Sequence, residues 1–284
     1  MTSTPLPTPL VRADALKAAL GAGSAPLIID CSFDLADTDA GERAFAEGHL
    51  PGAVYAHLDR DLAGAKTGRN GRHPLPTRAD WTATLARLGA TPAREVVLYD
   101  AQGGMYAARA WWMLRWVGHA SARVLDGGLQ AWKAAGGAVE SGTVTPVAAL
   151  TAYAPGESLV GTIDADALQK SLGRVTLLDA RAGERYRGEV EPLDARAGHI
   201  PGARSRFFKD NLDAQGRFRP ADELRAAFEA FGADPRQVVH QCGSGVTACH
   251  NLLAMEVAGL PGSTLYPGSW SEWSSDPARP VAVG

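Results

Sequence analysis

The stretch that decides the fold reads Val238-Val-His-Gln-Cys-Gly-Ser-Gly-Val-Thr-Ala-Cys-His-Asn-Leu-Leu-Ala254. It opens with a short apolar run, which is typical of a buried parallel strand. A glycine-rich turn follows Cys242, and a helical pattern begins near Thr247. This order places Cys242 at the carboxyl end of a parallel strand, where open α/β sheets bind their ligands. We therefore expect the functional site at Cys242.

The chain repeats itself once. Four short segments of the first half recur in the second half, in the same order and about 140–150 residues later. The pairs are 26–30 with 175–179, 48–53 with 198–203, 94–100 with 236–242, and 126–132 with 267–273. Two copies indicate a duplicated domain rather than a solenoid. Asp100 takes the place of Cys242 in the first copy, so only the second copy keeps the cysteine.

Each copy alternates short apolar runs with helical patterns, and this predicts an α/β fold. The predicted strands are Leu27–Asp30, Val96–Tyr99, Thr176–Asp179 and Val238–Gln241, and the clearest predicted helices are 78–88 and 221–231. Alternation of this kind favours a mostly parallel sheet with helices on both faces. At 284 residues the chain fits two such domains. We expect them at 1–142 and 159–284, joined by a proline- and glycine-containing linker at 143–158.

Composition excludes several function classes. Hydrophobic residues make up 45% and charged residues 21%, and the net charge is −3 without a basic stripe, which argues against nucleic-acid binding. No long apolar run predicts a membrane span, and the first residues lack the features of a signal peptide. Three cysteines without a Cys-x-x-Cys pair argue against disulfides and a zinc site, and favour the reducing cytoplasm.

The loop after Cys242 has the composition of an anion cradle. Gly243 and Gly245 let the backbone curl through Val246 so that successive N–H groups point inward. The start of the following helix adds partial positive charge. Both effects favour a thiolate over a thiol and would stabilise a further anionic atom bound to it. The alternative is that Cys242 is only a small buried hydrophobic side chain.

These motifs together resemble a known family. The loop Cys242-Gly-Ser-Gly-Val-Thr-Ala248 is similar to the active-site loop of 3-mercaptopyruvate sulfurtransferases. The paired Gly-His-[Leu/Ile]-Pro-Gly-Ala segments, Leu178-Asp-Ala-Arg181 and Gly268-Ser-Trp-Ser-Glu-Trp273 resemble the tandem rhodanese family over residues 10–280. The resemblance implies two rhodanese-like domains, a site at the interface between them, and sulfur carried as a persulfide on Cys242 without metal or organic cofactor.

The loop composition bears on the sulfur donor. Thiosulfate-preferring relatives usually carry Cys-Arg-Lys-Gly-Val-Thr, whose two cations suit a dianion. Gly243 and Ser244 stand at those positions here, and a neutral loop better suits a monoanionic 2-oxo acid with a transferable thiol. We expect 3-mercaptopyruvate as the donor, with thiosulfate as the second choice. A ping-pong reaction would then pass the sulfur to a thiol, such as a small thiol or thioredoxin, or to cyanide.

An anionic donor needs a cation outside this loop. By resemblance, Arg185 in Arg185-Tyr-Arg-Gly188 grips the donor, since a guanidinium fits a carboxylate bidentately; a solvated surface arginine is the alternative. The mercaptopyruvate branch places a second arginine in Glu-Pro-Arg, but this chain reads Glu191-Pro-Leu193. Arg196 is the nearby candidate to replace it.

Other side chains have proposed roles with structural alternatives. Ser244 and Thr247 can donate hydrogen bonds to the sulfur or the donor, although Thr247 equally suits a helix N-cap. A serine–histidine–aspartate relay in the resembling enzymes would correspond to Ser244, His49 and Asp39. His199 occupies the repeat position of His49, so a shared turn-forming role is the simpler explanation for both histidines.

Three further residues can also be explained by a purely structural role. Tyr106 and Phe33 would line the pocket by resemblance, or belong to the core. Cys249 lies two helical turns beyond the nucleophile and is expected to face the helix interior rather than act as a resolving thiol.

Two other function classes fit this loop less well. A dual-specificity phosphatase needs Cys-x5-Arg, and Ala248 stands where that arginine would clamp the phosphoryl oxygens. A non-catalytic sulfur carrier or binding module would not need the cysteine and its paired glycines.

Overall fold

The computed structural model describes residues 8–21, 25–149 and 151–284. They form two compact units. One takes the described residues up to Leu62 together with Pro76–Leu159, and the other takes Ala63–Leu75 together with Val160–Gly284. Residues 63–75 therefore belong to the unit that contains Cys242, although they precede most of the first unit's chain. The stretch 1–7, on which the expectation of no signal peptide rests, lies outside the described residues.

Within the described residues, the first unit contains a five-stranded sheet of order β1-β5-β4-β2-β3, and every pairing in it is parallel. Its strands are β1 (Leu10–Val11), β2 (Leu27–Asp30), β3 (Val54–Tyr55), β4 (Val96–Tyr99) and β5 (Ala122–Leu125). The helices are α1 (Ala13–Gly21), α2 (Ala40–Glu47), α3 (Leu58–Asp61), α4 (Arg78–Arg87), α5 (Ala107–Trp116) and α6 (Gly128–Ala134).

The second unit repeats this arrangement. Its five described strands pair in the order β6-β10-β9-β7-β8, again all parallel. The strands are β6 (Gly161–Thr162), β7 (Thr176–Asp179), β8 (Arg204–Ser205), β9 (Val238–Gln241) and β10 (Thr264–Leu265). The helices are α7 (Ala165–Ser171), α8 (Gly183–Arg187), α9 (Ala221–Glu229), α10 (Thr247–Val257) and α11 (Ser269–Ser275), with 3-10 turns at Phe208–Asn211 and Pro235–Gln237.

The predicted α/β class is confirmed, and the four predicted strands have the bounds given above. The helix predicted at 78–88 ends at Arg87, and the one at 221–231 ends at Glu229. These differences lie at the carboxyl ends, where the last turn of a helix commonly frays or tightens.

Each unit has its own apolar core. In the first unit, Ile28 and Val97 of the central strands pack with Phe45 and Trp132. In the second, Leu177 and Val239 pack with Tyr266 and two tryptophans of α11. All four residues of β9 are buried, as a parallel strand covered on both faces requires. Cys242 is the next residue, so packing of this strand fixes the position of its backbone.

Trp111 and Trp112 lie on α5 and are fully buried. They therefore belong to the core of the first unit rather than to a ligand pocket. Among the helices that the structure describes, none is long and apolar enough to cross a membrane.

Candidate active site

Cys242 follows β9 directly, and its backbone is held on both sides. The residue is 2% exposed. Its N–H donates to Ser269 Oγ at 3.1 Å, and its carbonyl accepts from the Trp270 N–H at 2.9 Å. Ser269 is buried and adopts φ 54°, a left-handed conformation that non-glycine residues seldom take. The start of α11 thus fixes the position of the cysteine at the cost of local backbone strain.

The first unit shows what the corresponding loop does with an anion. Asp100 occupies the position of Cys242 and is fully buried. Its carboxylate accepts hydrogen bonds of 2.8–2.9 Å from the backbone N–H groups of Gln102, Gly104, Tyr106 and Ala107. In the first unit, the loop between β4 and α5 therefore surrounds a negatively charged side chain with backbone N–H groups.

The loop in the second unit has its own backbone requirement. Gly245 adopts φ 76°, and a Cβ there would lie 2.3 Å from the carbonyl oxygen of Pro267. Only glycine satisfies both conditions. Val246 is the N-cap residue of α10 without a side-chain capping bond, and Thr247 is the first helical residue.

This placement bears on one of the two roles considered for Thr247, that of a helix N-cap. Because Thr247 lies inside the first turn, it does not cap α10, and the capping interpretation is wrong. Its hydroxyl makes no hydrogen bond within the part of the chain that the structure describes, and the residue is only half-buried. The hydroxyl thus remains available beside the cysteine loop.

Two arginines approach this loop. A Cβ built on Gly243 would lie 2.8 Å from Arg72 Nη2 and 3.4 Å from Arg185 Nη1. The side chain of Arg185 is 18% exposed and that of Arg72 is 26% exposed. In the described structure, Arg185 Nε is buried without a hydrogen-bond partner, and neither of the two nitrogens near Gly243 makes a hydrogen bond. The pair therefore offers unused donors to an anion at Cys242.

Acidic side chains hold both guanidinium groups in place. Asp194 forms ion pairs with Arg72 and, at 3.1 Å, with Arg185. Glu191 accepts from Arg185 at 2.6 Å and pairs with Arg181 at 3.3 Å. The Asp194 and Glu191 side chains are each 3% exposed. Because each carboxylate is shared, both arginines keep fixed positions without using all of their donors.

Ser244 has a histidine partner that the sequence did not indicate. His73 Nδ1 and Ser244 Oγ are 2.8 Å apart, and both residues are buried. Arg72 and His73 both come from residues 63–75. The Arg72 N–H donates to Ser271 Oγ at 3.0 Å, which ties this segment to α11. Neither Arg72 nor His73 was among the predicted site residues.

The structure gives His49 a different place from the predicted relay. Its Nδ1 lies 2.7 Å from the Phe45 carbonyl oxygen, and its ring stacks on Phe45 at 4.0 Å. His199 repeats this arrangement on Tyr186, at 2.8 Å and 4.0 Å. The identical geometry supports the shared structural role, and the histidine at Ser244 is His73.

Asp39 and Arg196 are also placed differently from what was expected. Asp39 is exposed and precedes α2 without a side-chain capping bond. The Arg196 guanidinium donates to four backbone carbonyls, of Trp273, Ser274, Asp276 and Arg279. Arg196 therefore satisfies carbonyl groups at the carboxyl end of α11. The cation beside Gly243, which Arg196 was expected to supply, is Arg72.

The remaining candidates are buried side chains. In the first unit, the rings of Tyr106 and Phe33 meet edge to face at 5.6 Å, and both residues are nearly inaccessible. Burial raises the pKa of Tyr106. Cys249 is buried and its Sγ lies 3.3 Å from the Gly245 carbonyl oxygen, which fits the expected inward orientation.

One histidine below the loop is kept neutral by its surroundings. His240 on β9 is fully buried, and burial together with repulsion from Arg206 lowers its pKa to about 3. Its Nε2 lies 3.0 Å from Met255 Sδ. A neutral His240 adds no charge beneath the cysteine. Among the described residues, no three His, Cys, Asp or Glu side chains come together as a metal site would require.

Comparisons with known proteins agree with this geometry. The family model "Rhodanese-like domain" matches residues 12–135 and again 164–276. A Pseudomonas aeruginosa protein named "Probable 3-mercaptopyruvate sulfurtransferase" is 48% identical, covering 91% of this chain and 92% of its own. A Mycobacterium tuberculosis protein named "Putative thiosulfate sulfurtransferase SseB" is 43% identical, covering 97% of each chain.

Solved structures show the same architecture. The structure of 3-mercaptopyruvate sulfurtransferase from Leishmania major superposes with a TM-score of 0.84 at 30% identity, covering 96% of this chain and 76% of that one. Both halves of the chain match one family model, and both contain the same parallel sheet. The chain belongs to the rhodanese family, as two rhodanese-like domains in tandem.

Proposed function

We propose that the protein is a sulfurtransferase that accepts sulfur from 3-mercaptopyruvate on Cys242 and passes it to a thiol or to cyanide. The observation that carries the proposal is the pair of guanidinium groups beside Gly243. Arg72 and Arg185 present unused N–H donors next to a buried cysteine in a glycine-rich loop. A carboxylate-bearing donor fits such a pair, and each charge-assisted hydrogen bond is worth about 1.5–3 kcal/mol.

The first half-reaction forms the persulfide. Cys242 reacts as the thiolate, and its Sγ attacks the thiol sulfur of 3-mercaptopyruvate. The carbon–sulfur bond breaks, its electron pair passes to the carbonyl, and pyruvate leaves as the enolate. Cys242 then carries an –S–SH group. A proton returns the enolate to pyruvate, and the hydrogen-bonded pair Ser244 and His73 is the donor that we assign to this step.

The persulfide needs a site that tolerates negative charge. The first unit supports this assignment, because the Asp100 carboxylate at the corresponding position accepts four backbone N–H groups. The outer sulfur of the –S–SH group is likewise anionic once it has lost its proton. The loop from Gly243 to Val246 is the cradle that we assign to it, and Thr247 adds a hydroxyl without a competing hydrogen bond.

The second half-reaction removes the outer sulfur. A thiolate of a small thiol or of thioredoxin attacks that sulfur, the sulfur–sulfur bond breaks, and Cys242 leaves again as the thiolate. With cyanide as acceptor the product is thiocyanate. Within the described structure Cys31, Cys242 and Cys249 form no disulfide, which suits a reducing compartment, and we propose that the protein works in the cytoplasm.

The proposal is tested by incubating the protein with 3-mercaptopyruvate, removing the excess, and adding cyanide. We expect one equivalent of thiocyanate per chain and a mass increase of one sulfur atom before cyanide is added. A protein that releases no thiocyanate with either 3-mercaptopyruvate or thiosulfate would be a binding module rather than a sulfurtransferase.

Thiosulfate is the second candidate donor, and the name of the Mycobacterium tuberculosis relative favours it. The ratio of kcat/KM for 3-mercaptopyruvate and thiosulfate distinguishes the two. We expect the ratio to favour 3-mercaptopyruvate, because Gly243 and Ser244 add no cation to the loop. A ratio in favour of thiosulfate would change the donor but keep the persulfide mechanism.

A further inference from the structure

Asp194 lies between the two arginines of the proposed donor site. One of its carboxylate oxygens pairs with Arg72, and the other lies 3.1 Å from Arg185 Nη2. The side chain is 3% exposed, so water screens its charge weakly. Any anion that binds beside Gly243 therefore meets the field of Asp194 as well as that of the two guanidinium groups.

The charges of this cluster balance. Three arginines and three carboxylates are joined by consecutive ion pairs in the described structure, in the order Asp179, Arg181, Glu191, Arg185, Asp194 and Arg72. A bound monoanion leaves the cluster with one excess negative charge, and a bound dianion leaves it with two. In a half-buried site the second excess charge is the more costly one.

Asp194 is the member of the cluster that reaches both donor-facing arginines. Of these two arginines, Glu191 contacts only Arg185. Its other partner is Arg181, which is 2% exposed and bound bidentately to Asp179. Removing the charge of Asp194 therefore changes the field at the donor while the core end of the cluster stays intact.

We propose that Asp194 is a specificity-determining residue, which sets the charge of the donor site so that it selects a monoanionic donor over a dianionic one. The inference rests on the proposed sulfur transfer to Cys242 and names a determinant of its donor class. Mercaptopyruvate carries one carboxylate charge at neutral pH, and thiosulfate carries two. The two donors are therefore discriminated by charge as well as by shape.

The test compares kcat/KM for the two donors in the wild type and in Asp194→Asn. The amide keeps the size of the side chain and removes its charge. A dianion gains twice the Coulomb benefit that a monoanion gains, so the donor ratio should move toward thiosulfate by about tenfold or more at an effective dielectric constant near 20. An unchanged ratio, or one that moves toward mercaptopyruvate, would overturn the inference.

Two matched variants separate charge from shape. Asp194→Glu keeps the charge and changes the geometry, and it should leave the donor ratio close to that of the wild type. Asp210→Asn removes one charge from an exposed aspartate of the same unit, whose ion pair with Arg206 lies outside the cluster, and it should also leave the ratio unchanged. An equal shift in either of these variants and in Asp194→Asn would refute the role of local charge.

A measurement on the wild type keeps the inference testable if Asp194→Asn does not fold. Methanesulfonate and sulfate have nearly the same size and differ by one negative charge. Methanesulfonate should inhibit wild-type turnover of mercaptopyruvate more strongly than sulfate does, and stronger inhibition by sulfate would contradict the inference. If the wild type turned over neither donor, the proposed function itself would fail instead.

Discussion

Replacing Arg185 by alanine tests the donor site most directly, because the structure predicts that the fold survives. Glu191 would keep Arg181 at 3.3 Å and the backbone N–H groups of Leu193 and Asp194 at 3.1 and 3.2 Å. Asp194 would keep its ion pair with Arg72. Because no buried carboxylate loses its last partner, the variant avoids the large penalty of an unpaired buried charge.

The effect should fall on donor binding. Arg185→Ala removes Nη1, which lies beside Gly243 and makes no hydrogen bond within the described structure, so that it can donate to a carboxylate there. Losing one charge-assisted hydrogen bond costs about 1.5–3 kcal/mol, which corresponds to about a 10- to 150-fold loss in kcat/KM. The loss should be mainly a rise in KM, since the anion is gripped in the ground state as well as in the transition state.

The assay is steady-state release of pyruvate from 3-mercaptopyruvate with an excess of a thiol acceptor. Arg187→Ala is the matched control, because Arg187 lies on the same helix and pairs with Glu189 at the surface, where their side chains are 47% and 55% exposed. Its KM should equal that of the wild type. A wild-type KM in Arg185→Ala would remove Arg185 from the donor site and leave its ion pairs as a purely structural feature.

Three further predictions concern the cysteine and its supports. Cys242→Ser should abolish persulfide formation, seen as the absence of the added sulfur mass after incubation with 3-mercaptopyruvate, and retained turnover would refute the nucleophile. Ser269→Ala should lower the free energy of unfolding by about 1–3 kcal/mol, because the Cys242 N–H loses its acceptor, whereas Ser269→Gly should lose less since glycine relieves the strain at φ 54°; equal values for the two variants in urea unfolding would contradict this. Because the pKa of His240 is about 3 in the folded protein and 6.5 unperturbed, the unfolded chain takes up the proton first, and the free energy of unfolding should fall as pH drops through this range by up to about 1.4 kcal/mol per pH unit. His240→Leu should flatten that dependence between about pH 7 and pH 5, and an unchanged slope in urea unfolding would show that other groups control it.

The fold could be predicted from the sequence because its signals are local and repeated. A short apolar run such as Val238–Gln241 predicts a buried strand by itself, and the same run recurs in the other half as Val96–Tyr99. The Gly-Ser-Gly sequence after Cys242 likewise predicts a turn without knowledge of any distant contact. Each of these inferences needs only neighbours along the chain.

The parts of the site that were missed depend on distant contacts. Arg72 and His73 lie more than a hundred residues before Cys242, in a polar stretch without strand or helix, and nothing in their local sequence points to the second unit. The family resemblance points to His49 instead, which lies in the repeated Gly-His-[Leu/Ile]-Pro-Gly-Ala motif. The repeat argues against a catalytic role for His49, because the two copies share the fold. A residue that is present in both copies therefore more often has a structural role.

Arg196 shows the same limit for a cation. The sequence identified a missing arginine and a nearby replacement, but proximity along the chain does not fix the direction of a long side chain. The Arg196 guanidinium donates to four carbonyl groups, those of Trp273 and Ser274 in the last turn of α11 and those of Asp276 and Arg279 just beyond it. The last carbonyls of a helix have no partner within the helix. The sequence Gly71-Arg-His-Pro74 places a cation and a titratable ring between turn-forming residues, and this pattern is the local signal that could have indicated the correct loop.

Comparison of the two copies explains why one loop can be reactive and the other cannot. The position after the central strand holds Asp100 in the first unit and Cys242 in the second. In each unit its carbonyl accepts an N–H from the helix that follows the next strand, α6 in the first unit and α11 in the second. In the first unit the residue that begins that helix is Gly128, at φ 54°, and in the second it is Ser269 at the same angle. Glycine adopts this angle without strain, whereas serine adopts it with strain and uses its hydroxyl to bind the cysteine N–H. At this position, strain is therefore found in the unit that keeps the nucleophile. There, the accurate placement of Cys242 offsets the loss of stability that the strained Ser269 backbone causes.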